Sequence, residues 1–506
     1  MGAFSLEPSS AAPGDKTSPR PAGFRWPEER RPLPPEPPPE PKAGPSWEVI
    51  GQRAILAIGL AASLWIYFVP APAGLTIQGK TACAVFLLCT TLWITNAVPF
   101  GVTGLLAIAL LGATGAMKSS DAFAAFGNSA VFFLVGVFII GGALVDSGLS
   151  KRSALLFLRH FERSPYAFAT GMMLAAAFGT MWMPNQATSA MLFPIAVEVA
   201  QALRLRPLHS NYAKTLFLSL AWGAMVGSNA SFLGSTRAAL ALGMLNESYG
   251  RTITFGTWVI ASLPMVVLGV AVAPLILRWC FPKEDVSFVS ARAMLETTVK
   301  QLGPMQARQW NVAIIAGLTI LSWVLLGDRL DLAVISLLGA VALFATRAMS
   351  WDEAEKRIYW NIVLMYGGAI ALGVVIDKTG AARWLVERLV GGVAFSPFFA
   401  IAAVLVGSLI LSEFMSNAAA VAVMLPLAFS LGNTLGASPV ALTLAVSIGA
   451  GLDFALPFSS APNTIVFASG YLRMIDVVKA GGIMTIASIA IVLLVAWLWW
   501  PIIGLV

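Results

Sequence analysis

Two asparagines set in apolar surroundings, Asn185 and Asn417, are the residues of this sequence best placed to do chemistry. An amide donates and accepts, so it can bind an anion through its N–H groups and a cation through its oxygen. Each interrupts a long apolar run, the first as Pro184-Asn185-Gln186 and the second as Ser416-Asn417-Ala418. Thr180 and Ser412 lie five residues before the matching asparagine and offer further oxygens. A second pair of interruptions carries Gly234-Ser235-Thr236-Arg237 and Ser459-Ser460-Ala461-Pro462-Asn463. A buried guanidinium is costly unless it is paired, and its fork suits a carboxylate or oxyanion. Arg237 therefore has three readings: an anion ligand, a fixed charge where a relative would bind a cation, or an ion-pair partner of Glu413 or Asp453. All of this is binding chemistry. The two histidines, His160 and His209, are far apart, and Cys83, Cys89 and Cys280 form no CxxC pair. With neither nucleophile–base pair nor metal cluster legible, no catalytic residues, no enzyme activity and no resident cofactor are expected.

The elements that position these groups are membrane helices. The 506 residues are 58% hydrophobic and 11% charged, with a mean hydropathy of +0.80, a composition that needs lipid as solvent. Apolar stretches long enough to span a bilayer recur at 54–70, 81–98, 99–117, 129–147, 254–277, 309–326, 330–346, 359–376 and 481–504. Residues 167–203 and 395–433 read instead as re-entrant hairpins with the asparagines at their tips. Residues 212–250 and 438–470 read as spans unwound near the middle, because non-helical backbone at membrane depth must line a cavity or lie within protein. Asn96, at the end of a span, reads as structural. Asn185 and Asn417 are 232 residues apart, Asp146 and Asp377 are 231 apart, and Pro194 and Pro426 follow the asparagines by nine. That near-constant offset marks an internal duplication.

The expected fold is all-α, with about 11 transmembrane helices in two repeats over 47–283 and 309–506, joined by a cytoplasmic connector at 284–308. A proline-rich segment at 1–46 has no apolar core of a signal peptide and is expected to be a disordered cytoplasmic tail. The net charge of +7 is scattered between apolar runs, so it argues for membrane topology rather than nucleic acid. With the tail inside, seventeen basic residues fall on the inner side, among them Lys151, Arg152, Arg278 and Arg357, against seven outside. This assignment inverts one repeat relative to the other, the arrangement of carriers whose site lies at the repeat interface. A multi-pass protein of the inner (plasma) membrane is expected.

These motifs resemble those of the divalent anion/sodium symporter family, carriers of di- and tricarboxylates and of sulfate. That family has Ser-Asn-Thr at both hairpin tips, followed by small residues and Leu-Pro; here the second tip runs Ser416-Asn417-Ala418 to Leu425-Pro426. Trp93-Ile94-Thr95-Asn96-Ala97-Val98-Pro99 is similar to the family's Trp-x-Thr-Glu-Ala-Ile-Pro, and Ser412-Glu413-Phe414 to its Thr-Glu-Phe. The resemblance implies a homodimer in which a moving domain carries a small anion across the bilayer in an elevator motion, coupled to sodium. It implies one sodium site from Thr180, Pro184, Asn185 and Gly234, and a second from Ser412, Ser416, Asn417 and Ser459. Substrate would contact Asn185, Gln186, Ser235 and Thr236 from one half, and Asn417, Ala418, Ser460 and Ala461 from the other, with Arg237 binding or balancing the anion. Gln186 and Ala418 replace both motif threonines, and Pro184 removes a hydroxyl and an N–H from the first sodium site, which is expected to be weakened. The competing readings are a sodium-independent anion exchanger, an arsenite or ion permease of the wider group, and a membrane receptor or scaffold without transport.

Overall fold

The computed structural model describes residues 47–390 and 395–505. The expected tail at 1–46 lies outside them. The chain divides into Met1–Ile50 and a helical body, Gly51–Val506, and the latter carries everything that follows.

In chain order the helices are α1 (Trp47–Phe68), α2 (Ile77–Thr95), α3 (Phe100–Ala113), α4 (Ser119–Ala124), α5 (Ser129–Asp146), α6 (Leu149–Leu158), α7 (Pro165–Gly179), α8 (Asn185–Ala202), α9 (Asn211–Gly227), α10 (Thr236–Tyr249) and α11 (Phe255–Cys280). After α12 (Val289–Gln301) come α13 (Ala307–Leu326), α14 (Leu332–Ala345), α15 (Trp351–Arg357), α16 (Trp360–Lys378), α17 (Ala381–Val390), α18 (Pro397–Phe414), α19 (Asn417–Leu435), α20 (Pro439–Gly449), α21 (Ala461–Phe467) and α22 (Met474–Ile502). There is no strand among the described residues. Among the described residues, nine helices are long and apolar enough to cross a membrane, and both arms of the second hairpin are among them.

Local chemistry explains the boundaries. Both hairpins start on a Ser-Pro pair: the Ser164 hydroxyl accepts from the Ala167 N–H at 3.2 Å and that of Ser396 from Phe399 at 3.3 Å. A serine cap followed by proline at the first helical position is a strong helix start. The first hairpin turns after Thr180, and α8 begins at Asn185; the second turns at Met415 and Ser416, and α19 begins at Asn417. Asn96 takes the left-handed conformation (φ 49°) that closes α2, a structural duty, as expected. One expectation is revised. The last span begins at Met474 instead of 481, because Arg473 and Asp476 form a reciprocal cap that extends the helix. Within 284–308 lies α12, which packs against α6 and α8.

Packing repeats across the halves. The hairpin α7–α8 lies on α9 and the hairpin α18–α19 on α20, while α3 pairs with α16 and α5 with α14. At the α3–α16 crossing, Gly104 and Gly368 meet backbone to backbone, and a Cβ on Gly104 would stand 2.8 Å from Met365 Cα. Small residues permit such approach where van der Waals contact drives helix association. The long helices α11 and α22 also pack together. Pro264 lies inside α11 and cannot donate to the Ile260 carbonyl. The Trp499 indole of α22 supplies the missing donor at 2.8 Å, and Trp500 binds the next carbonyl, Ala261, at 3.1 Å.

Candidate functional site

The two hairpin tips and the two helix breaks meet around one cavity of about 220 Å³. Its polar lining comes from Asn185 and Gln186 at the first tip, Ser235, Thr236 and Arg237 at the first break, Ser416 and Asn417 at the second tip, and Ser459 and Ser460 at the second break. Pro184, Ala418 and Ala461 complete those turns, and Phe100, Ile362 and Met365 add an apolar wall from α3 and α16. All nine residues expected to contact substrate thus line one space. The three wall residues were not legible from sequence, since nothing distinguishes them from lipid-facing or core side chains.

Four helices, α8, α10, α19 and α21, begin at this cavity. The first N–H groups of a helix have no partner within it and carry a partial positive charge, which favours an anion. Ser235 and Ser460, the caps of α10 and α21, make no side-chain capping bond, and Pro184, which caps α8, has no group to make one. Only α19 is capped, by the Ser416 hydroxyl on the Ala419 N–H at 3.3 Å. The Ser235 hydroxyl is buried without a partner. First-turn donors of three helices are therefore left without a side-chain acceptor where the cavity begins.

Arg237 is almost fully buried, at 3% exposure. Its Nε donates to the Ser447 carbonyl at 2.7 Å, and Nη2 donates to Asn229 Oδ1 at 2.7 Å and to the Ser228 hydroxyl at 3.3 Å. These acceptors sit at the C-terminal ends of α9 and α20, where orphan carbonyls carry partial negative charge. Gly451 packs so closely that a Cβ there would run into the guanidinium. Arg237 is in none of the ion pairs formed by the described residues, so the expected alternative of a salt bridge to Glu413 or Asp453 is not what the structure contains. Nη1 has no hydrogen-bond partner among the described residues, on a side chain that lines the cavity. The anchors Ser228, Asn229 and Ser447 gave no signal of this role in the sequence.

The residues expected to hold cations lie at or just before the tip and the break of each half. In the first, the Asn185 N–H donates to the Gly234 carbonyl at 3.1 Å, and a Cβ on Gly234 would meet the Thr180 carbonyl. Thr180 itself donates to the Ala176 and Ala177 carbonyls. In the second, Asn417 Nδ2 donates to Asp453 Oδ1 at 3.2 Å, and the Ser459 hydroxyl donates to the Asp453 and Leu456 carbonyls at 2.7 and 2.8 Å. Ser412 is fully buried, with its hydroxyl on the Leu409 carbonyl at 2.9 Å. The next residue, Glu413, accepts the N–H groups of Ala455 and Leu456, each at 3.2 Å, and so fixes the break against the hairpin.

Hairpin tips set against broken helices around a polar cavity, with nine potential spans among the described residues, are the arrangement of a multi-pass membrane transporter, and the family and relatives are transporters. The family model described as sodium:sulfate symporter transmembrane region matches residues 52–506, and the chain belongs to that family. An uncharacterized transporter of Haemophilus influenzae is 26% identical over 440 residues, covering 84% of this chain and 92% of its own. A protein of Staphylococcus aureus named sodium-dependent dicarboxylate transporter SdcS is 25% identical over 458 residues, covering 85% and 88%. Among solved structures, Neisseria gonorrhoeae MtrF superposes with a TM-score of 0.53 at 15% identity, covering 88% of this chain and 94% of that one. The Alcanivorax borkumensis YdaH transporter gives 0.52 at 16%, covering 90% and 99%. Both share the fold.

Proposed function

We propose that this transporter carries a small dicarboxylate inward, driven by sodium, with the anion held in the cavity between the two tips. The observation that carries the reading is the set of uncapped helix N-termini facing the space beside the unpartnered Nη1 of Arg237. Donors come from both halves, α8 and α10 on one side and α21 on the other, which suits an anion charged at both ends. The cavity of about 220 Å³ is smaller than the roughly 300–1,000 Å³ of drug-sized sites. Asn185, Gln186, Ser235, Thr236, Asn417, Ala418, Ser460 and Ala461 contact the substrate, and Arg237 supplies its countercharge. Sodium coupling is supported by the name of the staphylococcal relative and by the oxygens of Thr180, Asn185 and Gly234 in one half and Ser412, Ser416, Asn417 and Ser459 in the other.

The hairpins and broken helices pack on one another, α3 pairs with α16 and α5 with α14, and α10 and α19 pack against α16, with α10 also against α5. An elevator motion of the hairpins and broken helices, in a homodimer, is what the family likeness implies. The excess of basic residues on one side supports a plasma-membrane orientation with the N-terminal segment in the cytoplasm. The test is uptake of labelled succinate, citrate and sulfate into proteoliposomes, with and without an inward sodium gradient. Sodium-driven succinate uptake is expected. Uptake only against preloaded anion would replace symport by exchange, and no uptake of any of the three would overturn the substrate class.

A further inference from the structure

A second cavity, of about 510 Å³, lies away from the anion site, between α1, α2, the end of α16, α17 and α19. Trp65 and Ile66 of α1, Phe86 and Leu87 of α2, Leu385 of α17 and Leu427 of α19 all line it. Its size falls within the roughly 300–1,000 Å³ of sites that bury an organic molecule. A wall of this kind offers water too few partners to hold it. Trp65 is 67% exposed, and its neighbours Leu64 and Phe68 are exposed as well. So much apolar surface beside the cavity marks a face turned to the membrane.

Lys80 is the only charged residue among those that line the cavity. Its Nζ donates to the Tyr67 and Val69 carbonyls at 2.7 and 2.8 Å, which closes the end of α1. An ammonium has three protons, and the third has no acceptor among the described residues. A second cation stands at the α17 wall. There Trp384 lines the cavity and donates its indole N–H to the Ala73 carbonyl at 3.1 Å, while the Arg388 guanidinium lies over its ring, 5.1 Å from the centroid. Neither Lys80 nor Arg388 is in any ion pair formed by the described residues. Along α17, Ala381, Ala382 and Val386 are buried and Arg383, Glu387 and Arg388 exposed, the pattern of a helix lying in a membrane interface. An apolar slot with two unpaired cations beside it is complementary to an anionic amphiphile.

We propose that this cavity takes an acyl chain of an anionic phospholipid, with the phosphate held by Lys80 and Arg388. Phosphate suits both cations, the ammonium as a point charge and the guanidinium as a fork. The bilayer supplies such a lipid directly to the mouth. The chain would touch α1 and α2 on one side and α17 and Leu427 of α19 on the other. It therefore packs the second arm of the hairpin that carries Asn417 against the first two helices. Lipid binding here is independent of which anion is carried.

The experiment places the full-length transporter in phosphatidylcholine vesicles holding a trace of probe lipid with a photoactivatable acyl chain. The probe is either phosphatidylglycerol or phosphatidylcholine, and adducts are mapped by peptide mass spectrometry. Phosphatidylglycerol is expected to label the cavity-lining residues of α1, α2 and α17 about tenfold or more above phosphatidylcholine, the weight of one charge-assisted contact. Lys80→Gln is expected to bring the two probes within about threefold of each other. Cys83 is a small residue on the α2 wall, and Cys83→Phe is expected to fill the slot and cut labelling by both probes roughly fivefold. Should Lys80→Gln fail to fold, Cys83→Phe and the wild-type ratio between probes decide the matter. Equal labelling by the two probes in wild type, adducts away from the cavity wall, or labelling unchanged in either folded variant would overturn the proposal. Displacement of the phosphatidylglycerol probe by oleate would overturn it too, since the occupant would then be a free fatty acid.

Discussion

Removing the guanidinium by Arg237→Ala tests the anion site at its centre. On the anion side, the loss is one charge-assisted contact from Nη1, about 1.5–3 kcal/mol. At about 1.4 kcal/mol per decade this weakens succinate binding roughly 10- to 150-fold. On the protein side, the Ser447 carbonyl and Asn229 Oδ1 each lose a donor at 2.7 Å. Orphaning two buried acceptors costs about 1–3 kcal/mol each, so the melting temperature falls as well. The two effects separate with Arg237→Lys, which keeps the charge but cannot span three acceptors on two helices. Succinate titration calorimetry at saturating sodium, paired with thermal unfolding of each variant, gives both numbers. Affinity in Arg237→Ala within about threefold of wild type would refute the reasoning, because the countercharge would then lie elsewhere.

Gly451→Ala places a Cβ against the same guanidinium; succinate affinity in titration calorimetry is expected to fall about as far as in Arg237→Lys, while the charge of the site stays unchanged. Lys214 is buried on Asp476 at 3.0 Å, and Arg473 holds the same carboxylate. Lys214→Met is therefore expected to destabilise by less than the roughly 3–5 kcal/mol of a fully orphaned buried charge, read as a drop in melting temperature that Asp476→Asn largely reverses. Gly104→Leu forces α3 off α16 at their backbone contact, an overpacking cost of about 1–3 kcal/mol, visible as loss of monodisperse protein on size-exclusion chromatography. Arg357→Gln removes a partly exposed pair with Asp146 and is expected to change the melting temperature little, since such pairs contribute about 0–1 kcal/mol.

Sequence carried the site further than it carried the packing. Asn185 and Asn417 were legible because a polar residue within an apolar run has few reasons to be there, and their common offset tied the halves together. Arg237 was legible as unusual, but not its partners. Ser447 contributes a carbonyl, which every residue owns, and Ser228 and Asn229 gain their roles only when α20 is folded beside α9. Asp453 is legible as a possible partner of Arg237, while its bond to Asn417 depends on a contact between the second tip and the second break. Phe100, Ile362 and Met365 were invisible for a plainer reason: apolar residues facing a cavity, a neighbour or lipid look alike in a membrane sequence. The longer start of α22 depended on a local cap at Arg473 and Asp476, which hydropathy does not register.

The indole of Trp499 bears on how the protein is made. Proline at 264 leaves the Ile260 carbonyl without its helical donor, and the replacement lies 239 residues later in the chain. A ribosome delivers α11 to the membrane before α22 exists, so the first half waits in the bilayer with an open acceptor at Ile260. Its completion waits on the synthesis of α22: only once residues 499 and 500 have been made can Trp499 and Trp500 reach back to the two carbonyls. Nascent chains that stop short of 499 should therefore be the ones a membrane quality-control protease sees.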